Sequence, residues 1–249
     1  MYIKYTLSGH IYISPEDDCK TIVDAALATD YNEDFFIAED FSPEFFSRLM
    51  KEGFLIMSVN LSTGEIPDYV LFPKLHLQRS ALFFKNLHVK KSIRRLLNRY
   101  ELRPDAEFEH IIDRCVEVHG GDWLTPPLVE VIKELRNTYP FPVLTCHSGD
   151  CGHPVFNLPL SDPYPASFAL YKDGQLAAGE FGVICGNVYT SYSGFYNEKN
   201  AGTVQLIHTA RYLRENGFSF FDLGMPLDYK TDLGAVNINM REFVRLFRT

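Results

Sequence analysis

The sequence predicts an α/β (α+β) chain: a mixed, mostly antiparallel sheet flanked by helices, with a smaller N-terminal α/β lobe. Three observations predict it. Two helix-start signatures stand near the N-terminus, three apolar-faced helices follow Arg79, and from Ser167 come three strands joined by Asp173-Gly174 and Gly186-Asn187. Asp-Gly and Gly-Asn between apolar runs are the strongest local hairpin signals, because such turns twist the way the flanking strands do.

Taken in order, Ser14-Pro15-Glu16-Asp17 offers an N-cap, a proline at the first helical position and acids in the first turn. Ser42-Pro43-Glu44 repeats the device, Phe45, Phe46, Leu49 and Met50 mark an apolar side, and Gly53 closes that helix. Residues 54–78 are mixed, with turn signals at Ser62-Thr63-Gly64 and Pro67-Asp68, so residues 1–78 read as the smaller lobe and 79–249 as the core. Ser92 to Tyr100 predicts a helix with Ile93, Leu96 and Leu97 on its apolar side. Phe108, Ile111, Ile112 and Cys115 mark a second helix and Leu128–Leu135 a third. Strands are expected at Ser167–Tyr171, Gln175–Ile184 and Val188–Ser193, then a helix over Gly202–Asn216 and a strand over Phe218–Asp222. By analogy of topology, this is the element order of a GNAT-like acyltransferase core.

Composition narrows the class. Hydrophobic residues at 46% and aromatics at 14% suffice for a packed interior. No run reaches the ~18 apolar residues of a membrane span, and MYIKYTLSGH lacks a signal peptide's layout. Five cysteines argue against a disulfide framework, so a cytoplasmic protein is expected. The net charge of −8 is unevenly spread: residues 85–103 hold seven Lys or Arg and one acid, whereas 15–44 hold ten acids against Lys20. A basic stretch in an acidic protein suits a face that meets phosphates, although a solvated helix face explains it too.

Several segments resemble the leucyl/phenylalanyl-tRNA–protein transferase family, in the right order. They are Arg79-Ser80-Ala81-Leu82 with Leu87–Arg95, Gly121-Asp122-Trp123-Leu124-Thr125, and Gly179-Glu180-Phe181-Gly182-Val183 with Gly186. Ser193-Gly194-Phe195 with Asn200-Ala201, and Phe221-Asp222 with Leu233-Gly234-Ala235, continue the series. The resemblance implies transfer of an amino acid from aminoacyl-tRNA to the N-terminal amine of a protein or peptide, with no cofactor and with neither membrane nor DNA as partner. It implies that Trp123 stacks on the terminal adenine, with Phe181, Phe195 and Asn200 also in the substrate site. Arg79, Lys90, Lys91, Arg94, Arg95 and Arg99 would contact tRNA, and the Asp222 carboxylate would orient the attacking amine.

The chain also departs from the family's pattern. Tyr192 stands where the family has a glutamate, Gly224 where it has a glutamine, and Met57 near where it has a second tryptophan. Glu180 replaces a methionine of the apolar amino-acid pocket. Two readings of Glu180 follow. It substitutes for the lost glutamate beside Tyr192 and Asp222, making Asp222, Glu180 and Tyr192 the catalytic candidates, or it adapts the pocket to a polar or cationic amino acid. Either requires a cationic or hydrogen-bonding neighbour, since an unpaired buried carboxylate is costly. Cys146, His147, Cys151 and His153 form a weak candidate for a metal site, lacking a second ligand pair elsewhere. An acyl-CoA-dependent GNAT-type enzyme and a catalytically silent tRNA-binding relative are the alternatives. The glycine-rich coenzyme A loop is missing, although Asn197–Thr203 could offer backbone N–H groups to a phosphate.

Overall fold

The computed structural model describes residues 3–29, 31–66, 68–138, 143–144 and 155–249. Two short strands, β1 (Lys4–Tyr5) and β2 (Ile11–Tyr12), precede helices α1 (Cys19–Ala28) and α2 (Pro43–Lys51). Ser42 and Pro43 do start α2, but Ser14–Asp17 forms a turn, with the Asp17 carboxylate accepting from the Ser14 backbone N–H at 2.8 Å. Asp18 caps α1 instead, accepting from the Thr21 N–H. The local side-chain bond competes with the helix and wins.

β3 (Leu55–Asn60) and β4 (Tyr69–Lys74) pair as a hairpin, and β5 (Gln78–Leu82) leads to the short α3 (Lys91–Arg94). The continuous helix expected over Ser92–Tyr100 does not form: α3 stops at Arg94 and a separate 3₁₀ turn takes Leu97–Arg99. A single helix would set Lys91 against Arg95 and Arg95 against Arg99 four residues apart, a spacing at which like charges destabilise it. Then come β6 (Glu101–Pro104), α4 (Phe108–His119), α5 (Pro126–Thr138) and the short β7 (Val143–Leu144) and β8 (Val155–Phe156). The long strands β9 (Leu160–Lys172), β10 (Gln175–Gly186) and β11 (Val188–Tyr196) precede α6 (Ala201–Glu215) and β12 (Phe220–Asp222). α7 (Asp228–Asp232), β13 (Val236–Asn239) and α8 (Met240–Phe247) complete the chain.

Seven strands form the main sheet, in the order β13-β5-β12-β11-β10-β9-β6. All neighbours are antiparallel except β11 and β12, which α6 connects as a parallel pair. Both hairpin turns fall where the sequence predicts them, with positive φ at Asp173, Gly174 and Gly186. The expected mostly antiparallel sheet flanked by helices is therefore what forms. One face packs against α2, α4, α5 and α8 through Phe46, Ile111, Ile112, Leu128, Ile132 and Phe243. The other packs against α6 and the 84–100 segment through Ile207, Leu213, Ile93 and Leu97. Burying each such side chain contributes about 1.5–3 kcal/mol. No helix among the described residues is long and apolar enough to cross a membrane.

Two irregularities shape the site. Between Phe181 and Gly182 the β10–β11 register shifts, so that Ser193 faces Phe181 while Ser191 faces Gly182, leaving Tyr192 as the extra residue of a bulge. Gly182 is required there, since a Cβ would lie 2.1 Å from the Thr190 carbonyl oxygen. In addition, β12 ends at Asp222, paired with Thr190, while β11 runs on to Tyr196. Beyond that point the sheet is split.

Candidate functional site

Asp222 is the last residue of β12, and Ala81 of β5 pairs with it. Alternation along β5 puts Arg79 on the same face as Ala81, one diagonal step from Asp222. Both charged side chains are wholly buried. Arg79 Nε donates to Asp222 Oδ1 at 2.9 Å and its Nη2 to Oδ2 at 2.7 Å, a bidentate fork. The Thr190 hydroxyl donates to Oδ2 at 2.8 Å and the Gly224 N–H to Oδ1 at 2.9 Å. Arg79 Nη1 donates to His76 Nδ1 at 2.8 Å, and the guanidinium lies 4.4 Å from the Phe243 ring centre. Because arginine cannot accept a hydrogen bond, His76 must present a bare Nδ1. Burial, reinforced by the Arg79 charge, pushes the His76 imidazole down to about 2, so it stays neutral.

Two expectations change here. Arg79 is no phosphate-facing cation: it is 0% exposed and spent on Asp222, His76 and the Gly53 carbonyl. Asp222 already accepts from four donor groups and is 0% exposed, so an incoming amine could reach it only by displacing one of them. Its position suits a residue that holds the end of β12 and the Thr190 hydroxyl in place.

On the same face, β3 gathers two more of the expected residues. The Ile56 N–H donates to the Tyr192 hydroxyl at 3.4 Å, and the Ser58 N–H donates to the Trp123 carbonyl at 3.0 Å. Ile56 and Ser58 lie two residues apart on one strand edge, roughly 7 Å by strand rise. Trp123 is half-buried, its ring partly open to solvent, and Met57 is half-buried between those two donors. The Tyr192 ring tilts onto Phe181, centres 6.1 Å apart, and burial raises its hydroxyl above the ordinary range. Phe181 and Phe195 are buried as the walls of this region, Phe195 with the Arg114 guanidinium 5.4 Å from its ring centre.

Glu180 does not join them. Its carboxyl projects from the opposite face, where Ser191 donates to Oε2 at 3.0 Å and Gln205 and Thr209 of α6 stand beside it. Strand alternation is the reason: from the Gly186-Asn187 turn the pairs run from Cys185–Val188 to Gly182–Ser191, so Ser191 shares the face of Gly182 and Glu180 while Tyr192 turns to the opposite one. The idea that Glu180 replaces the missing glutamate beside Tyr192 and Asp222 is thereby overturned. Burial raises the Glu180 pKa.

The remaining expected residues lie on the surface. Lys90, Lys91, Arg94, Arg95 and Arg99 are all exposed. Lys90 pairs with Asp232, whereas Lys91, Arg94, Arg95 and Arg99 have no ion pair among the described residues. Lys90 and Asn200 meet in one open cleft of about 250 Å³, with His88, Ser92, Thr203 and Leu233 also in its walls. Asn200, at a left-handed φ of 70°, occupies the N-cap position of the 15-residue α6 without a side-chain capping bond. Gly234, next to the lining residue Leu233, packs its backbone on the 84–88 segment: its φ is +101° and a Cβ would sit 2.0 Å from the Asn86 carbonyl oxygen. Cys146, His147, Cys151 and His153 lie outside the described residues, and no group of metal-ligating side chains occurs among those described.

Sequence reasoning missed His76, Thr190 and Lys230. Lys230 Nζ donates to the Leu223 and Met225 carbonyls, the latter at 2.8 Å, and burial lowers it to about 8 despite nearby Asp222. A lone polar residue between apolar ones, as at His76 between Leu75 and Leu77, was the available signal, since burial there demands a partner.

The family model described as leucyl/phenylalanyl-tRNA protein transferase matches residues 160–248. Three similar relatives bear the name leucyl/phenylalanyl-tRNA–protein transferase. That of Azoarcus sp. (strain BH72) is 29% identical over 176 residues, covering 69% of this chain and 63% of its own. That of Pseudomonas putida (strain W619) is 28% identical, covering 66% and 65%. That of Deinococcus radiodurans is 24% identical over 218 residues, covering 83% and 89%. The chain thus spans a little under two thirds of the first two relatives' length. Among solved structures, FemX aligns at a TM-score of 0.43 and 10% identity, covering 99% of this chain and 86% of that one. The C-terminal domain of a lysylphosphatidylglycerol synthetase from Agrobacterium fabrum aligns at 0.38 and 12%, covering 99% and 80%. In sequence the chain is thus similar to the leucyl/phenylalanyl-tRNA–protein transferases, at 24–29% identity.

Proposed function

We propose that the chain is an aminoacyltransferase that moves an amino acid from aminoacyl-tRNA to the N-terminal amine of a protein or peptide. It would work in the cytoplasm, on a GNAT-like core spanning 79–249 with the smaller lobe at 1–78. The observation that carries the reading is the cleft that unites Lys90 of the basic segment with Asn200 at the start of α6. Lys91, Arg94, Arg95 and Arg99, unpaired among the described residues, continue the positive surface beside it. A backbone of phosphates fits that surface, with the last adenine reaching past it to stack on Trp123.

The chemistry asks little of the protein. The acceptor's neutral α-amine adds to the ester carbonyl and its lone pair forms the C–N bond. The C–O bond to the tRNA's terminal ribose breaks, and the amine's surplus proton ends on the departing hydroxyl oxygen. At pH 7 roughly a tenth to a fifth of such amines are neutral. Holding amine and ester together supplies about 7–11 kcal/mol of the barrier. Thr190, fixed by Asp222, and Tyr192, fixed by β3, are polar groups beside the split in the sheet where the ester would lie.

A second reading, a silent relative that binds charged tRNA, is favoured by the saturation of the Asp222 carboxylate. Single-turnover transfer from a panel of labelled aminoacyl-tRNAs to an Arg-initiated peptide tests the proposal, with native-gel binding of the same tRNAs in parallel. Product from any charged tRNA supports transfer. Binding without product supports the silent relative, and neither overturns both.

A further inference from the structure

The face of the sheet that carries Glu180 holds a polar nest the transfer chemistry does not use. Glu180 is 2% exposed and its Oε1 has no hydrogen-bond partner. Two more buried acceptors beside it are also unpartnered, Gln205 Oε1 and the Tyr189 hydroxyl. Gln205 is oriented by its amide N–H groups, which donate to the Phe168 carbonyl at 3.2 Å and to Thr209 Oγ1 at 3.1 Å, so its oxygen is left over. Tyr189 lies over Gly182, where its ring atoms would stand 2.9 Å from a Cβ, and burial, with Glu180's charge adding to it, raises its hydroxyl. Unpaired buried acceptors are costly, and three on one face of the sheet beside Glu180 and Gly182 are a place suited to a donor.

The nest has an approach. Gly194 faces Glu180 across the strand pair and sets no side chain over it. Along β11 the pairing with β12 stops at Thr190, so Ser191, whose hydroxyl donates to Glu180, is the first residue past the end of β12. A group entering through the split sheet from the Asp222 side would meet the nest on the other face.

We propose that this nest receives the side chain of the donated amino acid, and that this side chain ends in a primary ammonium, as in lysine. An ammonium brings three N–H donors, one each for Glu180 Oε1, Gln205 Oε1 and the Tyr189 hydroxyl, and a charge for the carboxylate. A leucine or phenylalanine side chain would leave all three acceptors unpaired. The assignment rests on the aminoacyl-transfer reading above, but its test does not depend on turnover.

The probes are two non-hydrolysable analogues, adenosine bearing lysine or leucine through a 3′-amide, titrated into the full chain by calorimetry. Native protein should bind the lysyl analogue about ten- to hundredfold more tightly, the range set by hydrogen bonds to a charged group. Glu180→Met, of similar volume, should abolish or reverse that preference, and Glu180→Gln should reduce it while disturbing the fold least. Equal binding, a leucyl preference in the native chain, or a lysyl preference unaffected by both variants overturns the inference. Peptide transfer of leucine alone, with no lysyl preference in binding, sinks the nest but leaves transfer standing. A lysyl preference lost in Glu180→Met, with no transfer from any tRNA, upholds the nest and sinks the transferase reading. If neither analogue binds, the nest is refuted as well.

Discussion

Replacing Asp222 by alanine strikes the pair on which the site is built. Arg79 would keep its charge with 0% exposure and lose both of its short contacts, at 2.9 and 2.7 Å, to the carboxylate. Breaking a buried pair from one side costs about 3–5 kcal/mol, because the surviving charge is left uncompensated. The Thr190 hydroxyl and the Gly224 N–H lose their acceptor too, each about 1–3 kcal/mol if left unsatisfied, so the upper end of that range is expected. Domains have only about 5–15 kcal/mol in hand, so the variant should be folded but fragile at 25 °C. Urea unfolding followed by fluorescence of Trp123, the one tryptophan in the chain, measures the loss. The decisive comparison is the double variant Arg79→Met/Asp222→Leu, which removes both charges and should be more stable than Asp222→Ala by about 2 kcal/mol or more. A cost below about 1 kcal/mol for Asp222→Ala, or a double variant no better than the single one, would refute the view of this pair as a buried, mutually dependent unit.

Other outcomes follow from the same geometry. His76 is held neutral with its folded pKa pushed down to about 2, below the unfolded value of about 6.5, so between those values the unfolded chain binds the extra proton. Stability from this group is therefore full above pH 6.5 and falls by up to about 1.4 kcal/mol per unit as pH drops, and His76→Asn should flatten the denaturation profile between pH 6 and 4. Gly182→Ala puts a Cβ 2.1 Å from the Thr190 oxygen and should cost about 1–3 kcal/mol in the same urea assay. Changing Lys91, Arg94, Arg95 and Arg99 together to alanine should weaken charged-tRNA binding and lower its log–log salt slope by up to about 3, read by filter binding across salt concentrations. Trp123→Ala should cost about 1–3 kcal/mol of that affinity, with the salt slope unchanged.

What the sequence determined by itself is what short-range chemistry determines. Asp173-Gly174 and Gly186-Asn187 place their hairpins because only a few residue types accept those backbone angles. The apolar faces of α4, α5 and α6, and the cations crowded into residues 85–103, are legible for the same reason. The ordered motifs from Arg79 onward were enough to point to the family. The N-terminal turn at Ser14 and the broken helix after Arg94 escaped because a local bond and like-charge repulsion outweighed propensity.

Only the tertiary structure decided the roles within the site. Arg79 reads as one more member of a basic segment until β5 is set beside β12, whose Asp222 is 143 residues away in the chain. Whether Glu180 and Tyr192 share a face depends on how β10 and β11 are paired, and the pairing from the Gly186-Asn187 turn gives Glu180 the neighbour Ser191, with the bulge then bringing Ser193 opposite Phe181. Register and bulges are settled by packing on both sides of a sheet, here by α4 on one face and α6 on the other. Pairing is a property of two strands and the layers that cover them, and once it is in place the acid expected beside Asp222 is found across the sheet, facing α6.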